Sequence, residues 1–591
     1  MLLNHSENPL KEGQKVSREI KGYLTFTLHS HLPYVLSHGV WPHGADWLNE
    51  ATAECYIPLL DILYSLEREG IRPAMNIGIT PILQEQLKSE LFVSQFRSYL
   101  AQKKGLALED ERFFRKLGDR RERLARMWYE YYSRIETLFE EAFNADLLSA
   151  FARLQDSGSI EIITSAATHG YLPLLGTDNS VYAQIAIGVS TYKRYTGKKP
   201  KGIWLPECAY RPRYLWKNPL FESAKGINRR GVEEYLDKAG IKYFIVDSAL
   251  LMGGRAIGVY LERYEALKRL WQQYERTYKA RPEEPRSPYR VHYCTSRGSE
   301  SKVAFFARDP KTALQVWSGE WGYPGNGVYL DFHKKNWPSG LRYWRVTNPK
   351  ADLGEKLLYE PENVEGVLFE QSEHFANLCY GILEDFYAKN GIPGIIVAPF
   401  DSELFGHWWF EGPLWLKKVL ANFFFSPVYS TITASEYMEQ FPPVEVIELP
   451  EGSWGEGGFH YIWLNEWTRW TWKHIYEAEQ TFVRWANELL ESPDHNLRRI
   501  LAQAARELLL LESSDWQFLI STWSARDYAE QRVCVHSEAF KEIISFAEKY
   551  NASGSLPDPL WERLSYYEER DKIFPDLDPT LWADKVVGII G

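Results

Sequence analysis

The stretch Lys201-Gly-Ile-Trp-Leu-Pro-Glu-Cys-Ala-Tyr-Arg-Pro212 joins a short apolar run to a proline and then to a carboxylate. The run has the composition of a buried β-strand, and Pro206 should end its regular pairing because proline has no N–H to donate. Glu207 would then lie at the C-terminal end of a strand. Parallel α/β folds build their sites at that edge, so the stretch predicts both a strand and a site residue.

A second stretch later in the chain has the same form. Gly394-Ile-Ile-Val-Ala-Pro-Phe400 is an apolar strand that closes on a proline, and Asp401 follows at once. Its continuation, Ser402-Glu-Leu-Phe-Gly-His-Trp-Trp409, is rich in aromatic residues. One carboxylate at a strand end is often only a structural hydrogen-bond acceptor, but two in the same setting suggest paired chemistry. Glycoside cleavage needs such a pair, together with flat aromatic faces for sugar rings.

These motifs resemble those of a known family. Trp204-Leu-Pro-Glu-Cys-Ala-Tyr210 and Ala398-Pro-Phe-Asp-Ser-Glu-Leu-Phe-Gly-His-Trp408 are similar to the nucleophile and acid/base motifs of glycoside hydrolase family 57, above all of its 1,4-α-glucan (glycogen) branching enzymes. The resemblance extends from about residue 23 to about residue 528. It implies that Glu207 is the nucleophile and Asp401 the acid/base of a retaining enzyme that needs no cofactor and no metal. Retaining geometry places the two carboxyl groups about 5–5.5 Å apart.

The rest of the chain alternates between strand-like and helical patterns. Apolar runs at residues 23–28, 73–79, 160–164 and 243–246 are separated by segments with helical spacing. This alternation favours an α/β barrel with parallel strands. The resemblance sharpens the expectation to an incomplete seven-stranded (β/α) barrel with a helical insertion and a C-terminal helical domain.

The change of pattern along the chain divides it into domains. We expect a flexible arm at 1–20, a barrel at 21–450 and an α-helical domain at 451–591. Crowded charges with apolar residues every three or four positions indicate a helical insertion at about 88–155. A second charged insertion, at 261–286, does not fit the family pattern. It would be either a surface excursion, or a lid or partner surface.

Composition excludes several classes of protein. The net charge of −11 argues against a nucleic-acid partner, because phosphate binding needs a basic face. Five scattered cysteines suggest a reducing compartment and no structural zinc site. We see neither a secretory signal nor an apolar run of ~20 residues, so we expect a cytoplasmic protein without a membrane span. The aromatic content of 15% indicates either large cores or carbohydrate stacking.

Several histidines lie close to the predicted strand ends. His29 and His31 follow the first strand, and His169 follows a later one. Such a cluster could hold a metal or bind sugar hydroxyls, and the resemblance implies metal-free contacts with substrate. His407, six residues after Asp401, could be a core residue, a partner of the acid/base or a substrate contact.

Loop tryptophans are the candidate stacking surfaces. Trp41 and Trp47 lie in and just after a Gly/Pro loop, and loop tryptophans are less often core residues than strand tryptophans are. The resemblance places Trp317 beside the cleavage point, and it pairs Trp454 with Trp463 as acceptor-site residues.

The resemblance also marks two weaker candidates. Asp515 and Trp516 belong to a segment that closes over the cleft in the family. Tyr260 falls in the region of a loop that shields the site from water. For Tyr260 the alternative role is to anchor the insertion that follows it.

The implied function is that of a branching enzyme. It would cleave an α-1,4-glucan, hold the chain as a glucosyl ester on Glu207 and transfer it to a 6-hydroxyl of an acceptor glucan. An α-amylase or 4-α-glucanotransferase would use the same carboxylates. A catalytically silent glucan-binding protein would need the tryptophans but not the acid pair, and a metal-dependent deacetylase would bind zinc at the histidines.

Overall fold

The computed structural model describes residues 19–221, 225–252, 286–318, 322–491 and 493–588. Tyr260, nearly all of the predicted arm at 1–20 and nearly all of the charged insertion at 261–286 lie outside these ranges. Within them, no helix combines the length and apolarity needed to cross a lipid bilayer. All five cysteines are free thiols.

Two sheets account for the strands in the described ranges. In chain order these are β1 (Gly22–Ser30), β2 (Met75–Ile79), β3 (Ile160–Ser165), β4 (Gly202–Trp204), β5 (Tyr214–Trp216), β6 (Ile227–Arg229), β7 (Tyr243–Val246), β8 (His292–Cys294), β9 (Val303–Ala307), β10 (Gly394–Asp401), β11 (Tyr429–Thr431) and β12 (Val446–Ile447). Strands β5 and β6 form a separate antiparallel hairpin.

Seven strands curl into a barrel. Their order is β10-β1-β2-β3-β4-β7-β9, and every pair in this series is parallel. The backbone N–H of Asp309 donates to the carbonyl of Val397 at 3.0 Å, so the chain just after β9 meets β10 and the sheet nearly closes on itself. The incomplete seven-stranded barrel is therefore confirmed. Strand β11 also pairs with β1, and β8 and β12 extend the sheet beyond β9.

The barrel strands are buried on both faces. In β10 every residue from Gly394 to Phe400 is buried, as expected for a parallel sheet covered by helices. Pro399 lies inside this strand opposite Thr27, and the pairing continues to Asp401. Pro399 does not end the pairing of β10. This strand borders the seam where the barrel is incompletely closed, so the N–H that proline lacks interrupts no continuous row of interstrand hydrogen bonds.

Helices surround the barrel and form the insertion. In chain order they are α1 (Ala45–Ala51), α2 (Ile57–Arg68), α3 (Pro81–Leu87), α4 (Glu90–Leu117), α5 (Arg121–Thr137), α6 (Leu147–Asp156), α7 (Asp178–Thr196), α8 (Val232–Ala239), α9 (Ser248–Met252), α10 (Pro310–Trp317), α11 (Val364–Asn390), α12 (Gly412–Phe425) and α13 (Ala434–Gln440). Helices α4, α5 and α6 stand between β2 and β3, which confirms the helical insertion.

The C-terminal part is helical, as predicted. It contains α14 (Arg469–Glu491), α15 (His495–Leu511), α16 (Asp515–Thr522), α17 (Arg526–Ser553), α18 (Asp558–Arg570) and α19 (Asp584–Val587). Helix α15 buries a continuous leucine-rich face. Just after it, Ser513 forms a backbone bridge with Gly170 of the barrel. This contact brings the start of α16 to the edge of the barrel where the strands end.

Candidate active site

The two predicted carboxylates lie at the C-terminal edge of the barrel. Asp401 is the last residue of β10, and its Cα partner in β1 is His29. Strand β4 stops at Trp204, and Glu207 follows in a tight turn. Glu207 and Cys208 have φ values of 59° and 48°, a left-handed conformation that non-glycine residues seldom adopt. Backbone strain of this kind is concentrated at functional sites, because the surrounding structure must enforce it.

A distant loop holds this turn in place. The indole Nε1 of Trp454 donates to Glu207 Oε2 at 2.6 Å, and the Trp454 backbone N–H donates to the Glu207 carbonyl at 3.1 Å. Tyr210 and Gly452 exchange two further backbone hydrogen bonds. The Trp454 ring also packs edge-on to Trp204, with centroids 5.1 Å apart. Trp454 therefore touches the candidate nucleophile itself.

The surroundings of Glu207 favour its neutral form. Burial raises the pKa of Glu207 to about 8; the hydrogen bond from Trp454 opposes this shift, and the charges of Asp401 and Asp515 add to it. Glu207 still keeps partial contact with solvent, while most of it lies among protein atoms. An empty site at neutral pH therefore holds a proton on this carboxyl for much of the time.

Glu403 is a further acidic residue that the sequence did not single out. Its side chain accepts hydrogen bonds from the Tyr56 hydroxyl and from the His31 backbone N–H. Burial raises the pKa of Glu403 to about 8, and the charge of Asp401 contributes to the shift. Its place two residues after Asp401, in the same motif, was the available signal. Glu403 fixes the chain after β1 against the chain after β10.

His29 and His169 meet in the centre of the site. Their Nε2 atoms lie 3.0 Å apart within hydrogen-bonding distance. The His29 ring stacks on Trp204 with centroids 4.7 Å apart and planes at 11°. Burial lowers the pKa of both histidines well below the usual value, and the other histidines of the cluster add to the shift. Both rings are therefore neutral at physiological pH, and each offers one donor and one acceptor.

His31 connects the barrel to the C-terminal helices. Its Nε2 lies 3.0 Å from both carboxylate oxygens of Asp515, and its Nδ1 lies 3.1 Å from the Thr80 hydroxyl. Burial alone would raise the pKa of Asp515, but His31 brings it down to about 2. The Ser513 hydroxyl also donates to Asp515 at 2.6 Å. The C-terminal helices thus contribute a charged residue to the site.

Two groups of residues have the spacing of metal ligands. The first comprises His31, His169 and Asp515, whose ligand atoms all lie within 4.8 Å of one another. The rings of His31 and His169 stack with centroids 3.9 Å apart and planes at 24°. A metal lies in the plane of each imidazole that binds it, and stacked rings do not direct their nitrogens to one point. The geometry fits a hydrogen-bonded network better than a zinc site.

The second group lies in the C-terminal helices and comprises Glu507, His536 and Asp571. All three are buried. His536 Nδ1 bonds to Glu507 Oε2 at 2.8 Å, and Arg570 forms ion pairs with both carboxylates. These residues neutralise one another inside the core.

His407 belongs to a buried ionic network beside the Asp401 loop. Its Nδ1 bonds to Glu54 Oε2 at 2.8 Å, and Glu54 pairs with Arg342 at 3.0 Å. Burial would raise the pKa of Glu54, but Arg342 and then His407 hold it at about 2. Gly406, which precedes His407 in the chain, has a φ of 112°. A Cβ added there would lie 1.8 Å from the Glu54 carbonyl oxygen. The His407 hydrogen bond is thus made to Glu54, and a contact with Asp401 or with substrate stays a prediction.

The predicted tryptophans differ in their burial and in the residues they pack against. Trp317 packs edge-on to Trp408, with centroids 6.0 Å apart, and lies 6.5 Å from Phe400 next to Asp401. Trp463 stacks on Tyr171 at 4.4 Å and is only 1% exposed. Trp317 therefore lies close to the strand end that carries Asp401.

Other predicted residues lie farther from the two carboxylates. Trp41 is 71% exposed in its loop, and Trp47 packs edge-on to Tyr528 of the C-terminal helices at 5.4 Å. Trp516 has no exposed surface, and its indole N–H donates to the Leu510 carbonyl. In this structure Trp516 is a core residue under Asp515, which leaves its contact with substrate a prediction only.

Comparisons with known proteins agree with this geometry. Residues 25–450 match the model of glycosyl hydrolase family 57, and residues 474–582 match that of the C-terminal domain of 1,4-alpha-glucan branching enzymes. The 1,4-alpha-glucan branching enzyme TK1436 of Thermococcus kodakarensis is 43% identical over 556 residues, which cover 94% of this chain and 78% of that protein.

Solved structures give the same result. The crystal structure of TK1436 aligns with a TM-score of 0.86 and 41% identity, and covers 95% of this chain and 97% of its own. The structure of the branching enzyme of Pyrococcus horikoshii aligns with a TM-score of 0.84 and 40% identity, and covers 95% of this chain and 97% of its own. The structure of the alpha-amylase AmyC of Thermotoga maritima aligns with a TM-score of 0.77 and 28% identity, and covers 95% of this chain and 99% of its own. By these matches, the chain belongs to glycosyl hydrolase family 57 and carries the C-terminal domain of that family's branching enzymes.

Proposed function

We propose that this protein is a 1,4-α-glucan branching enzyme that acts with retention of configuration. It would cleave an α-1,4 linkage of a donor glucan and transfer the released chain to a 6-hydroxyl of an acceptor. The observation that carries the proposal is the pair Glu207 and Asp401 at the barrel edge, with Trp454 bound to Glu207. The similarity to branching enzymes over both family models supports the choice of reaction.

The reaction has two displacements. In the first, Asp401 gives its proton to the glycosidic oxygen while Glu207 attacks the anomeric carbon; the C–O bond breaks and the leaving glucan departs with a free 4-hydroxyl. In the second, Asp401 takes the proton of an acceptor 6-hydroxyl, whose oxygen displaces Glu207 from the anomeric carbon. Glu207 is released as a carboxylate, and Asp401 is protonated again.

The charges of the site support these roles. Glu207 and Asp401 repel each other when both are ionised, so a single proton shared between them is favoured. Burial leaves that proton largely on Glu207 at neutral pH, and the hydrogen bond from Trp454 opposes this by stabilising the Glu207 anion. The first displacement would start from the form in which the proton has moved to Asp401, so that nucleophile and acid are present together.

The histidines supply neutral contacts for the sugar. His29 and His169 are buried, and their pKa values are held far below 6.5. A neutral imidazole can orient a sugar hydroxyl without adding a charge beside the carboxylates. Asp515, bound to His31, adds a hydrogen-bond acceptor from the C-terminal helices.

We further propose a division of the chain into a barrel domain at 21–450 and a helical domain at 451–591. Trp317, Trp454 and Trp463 would stack on glucosyl rings, and Tyr260 would shield the glucosyl-enzyme from water. The donor and acceptor are α-1,4-glucan chains such as amylose or glycogen. We place the enzyme in the cytoplasm, where such polymers are made and free thiols persist.

Hydrolysis is the second candidate. The similarity to the alpha-amylase AmyC favours it, since hydrolysis shares the first displacement. The match to the branching-enzyme C-terminal model and the higher identity to branching enzymes favour transfer.

The deciding experiment is incubation with amylose, followed by enzymatic debranching and chain-length profiling. New α-1,6-linked chains without a matching rise in reducing ends are expected. Reducing ends without new branches would overturn the proposal in favour of an amylase.

A further inference from the structure

Two tryptophans that the mechanism does not use lie together on the C-terminal part. The rings of Trp467 and Trp523 have centroids 5.3 Å apart and planes inclined at 42°. Trp523 is 49% exposed, and Trp467 is half-buried. Large aromatic rings usually bury far more of their surface, so this pair presents an unusual apolar area to solvent.

Trp523 is held in an unfavourable backbone conformation. It follows the last residue of α16 with a φ of 60° and a ψ of 18°. Glycine adopts this left-handed conformation at little cost, and it is the residue commonly found at a helix end of this kind. A bulky side chain there is a genuine outlier. A tryptophan at this position therefore needs a reason beyond terminating the helix.

Hydrogen bonds fix this pair to the segment that carries Trp463. Asn465 donates from Nδ2 to the Ser521 hydroxyl at 2.9 Å and accepts at Oδ1 from the Trp467 backbone N–H at 2.9 Å. Ser521 in turn donates to the Ile462 carbonyl at 2.6 Å. The segment around Trp463 and Trp467 is thus bound rigidly to α16.

Helix α16 connects the pair to the candidate active site. Asp515 at its first residue bonds to His31, and Trp523 follows its last residue. Eight residues of helix span about 12 Å. The aromatic pair therefore lies one short helix away from a residue in the site, and four residues along the chain from Trp463.

We propose that Trp467 and Trp523 form an outlying binding site for an α-glucan chain. The inference rests on the proposed function, because a polymeric substrate extends well beyond the linkage that is cleaved. Glucosyl rings have apolar faces that pack on indole rings, and a rigid pair of indoles loses little conformational freedom on binding. Such a site would raise the affinity for long chains and leave the chemistry of the cleaved linkage unchanged.

The test compares long and short glucans in the inactive Glu207→Gln background, so that binding is measured without turnover. Trp523→Gly removes the ring and relieves the backbone conformation. We expect it to keep or raise the melting temperature while weakening amylose binding about two- to tenfold. Binding of maltotriose should not change. Trp523→Phe should retain most of the amylose affinity, and Trp467→Ala should weaken it as Trp523→Gly does.

Tyr566→Ala is the matched control, since Tyr566 is 51% exposed on α18 and has no place in the proposed site. Unchanged amylose binding in Trp523→Gly would overturn the inference, as would an equal loss for maltotriose. A lower melting temperature with unchanged amylose binding would also overturn it, by assigning the pair to packing alone. Failure of the proposed function is seen separately, as a lack of new α-1,6 linkages in the wild-type enzyme.

Discussion

The indole N–H of Trp454 donates a 2.6 Å hydrogen bond to Glu207, across 247 residues of sequence. A hydrogen bond to an ionised carboxylate contributes more than one between neutral groups. Burial disfavours the anion of Glu207, and Trp454 is the neighbour that counters this most strongly. The pair therefore sets how much of the candidate nucleophile is ionised.

Trp454→Phe keeps an aromatic ring and removes this donor. We expect the pKa of Glu207 to rise further, and activity at pH 7 to fall about tenfold or more. The rising limb of the pH–rate profile should move to higher pH. Trp415→Phe is the control, because Trp415 has no role in the proposed site and its indole N–H has no hydrogen-bond partner among the described residues. An unshifted profile in Trp454→Phe would refute this role.

The carboxylate roles can be separated with small substrates. Glu207→Ala should be inactive, and azide should partly restore cleavage by attacking the anomeric carbon, which gives a product of inverted configuration. Asp401→Asn should lose about 10²–10⁴-fold on amylose, and much less on an aryl glycoside whose leaving group needs no proton. Azide rescue of the Asp401 variant with inversion would exchange the two assignments.

Glu207 should lower the stability of the fold at neutral and alkaline pH. Its pKa is about 8 in the folded protein against 4.5 for an ordinary glutamate. The folded state therefore binds the proton more tightly. This contribution to stability is complete below about pH 4.5 and is lost as the pH rises towards 8.

A glutamine at position 207 carries a neutral amide that does not ionise, so its contribution to stability does not change with pH. The melting temperature of Glu207→Gln minus that of the wild type should thus grow between about pH 5 and about pH 9, by about 1–2 °C. Glu370→Gln, an exposed change on α11, is the control and should give a flat difference. A difference for Glu207→Gln that is independent of pH would contradict the raised pKa.

Gly406 should tolerate no side chain. Its φ is 112°, and an added Cβ would lie 1.8 Å from the Glu54 carbonyl oxygen. Gly406→Ala should cost about 3 kcal/mol or more of unfolding free energy and displace the Asp401 loop. In Gly391→Ala the φ is also positive, 68°, but the space is open. That control should cost only about 1 kcal/mol and leave activity intact.

Tyr260 lies outside the described residues, and its shielding role stays a prediction. Tyr260→Ala should still cleave amylose, but a larger share of the glucosyl-enzyme should be hydrolysed by water instead of being transferred to an acceptor glucan. A barrier difference of ~1.4 kcal/mol between the two acceptors changes their ratio tenfold. The ratio of reducing ends to new α-1,6 linkages measures this. An unchanged ratio would leave Tyr260 as an anchor of the insertion.

Local pattern in the sequence was sufficient to predict an α/β fold with parallel strands and to place two carboxylates at strand ends. A strand buried on both faces needs a short apolar run, and the residue after the run falls at the edge of the sheet. That local rule placed Glu207 and Asp401 at strand ends, and apolar residues spaced three and four apart located the helical insertion. The rule on proline worked at Pro206 and did not hold at Pro399, whose strand borders the barrel seam. Only the position of a strand in the sheet decides which case applies.

The tertiary structure alone decided which distant residues meet. Trp454 and Glu207, His31 and Asp515, and Glu54 and His407 are separated by 247, 484 and 353 residues. Nothing in the spacing of either partner specifies the other, because such contacts arise from the packing of whole strands and helices. The same packing sets burial, and burial raises the pKa of Glu207 to about 8. A residue's type and neighbours in sequence thus determine what chemistry it can perform, and the fold determines its charge and its partners.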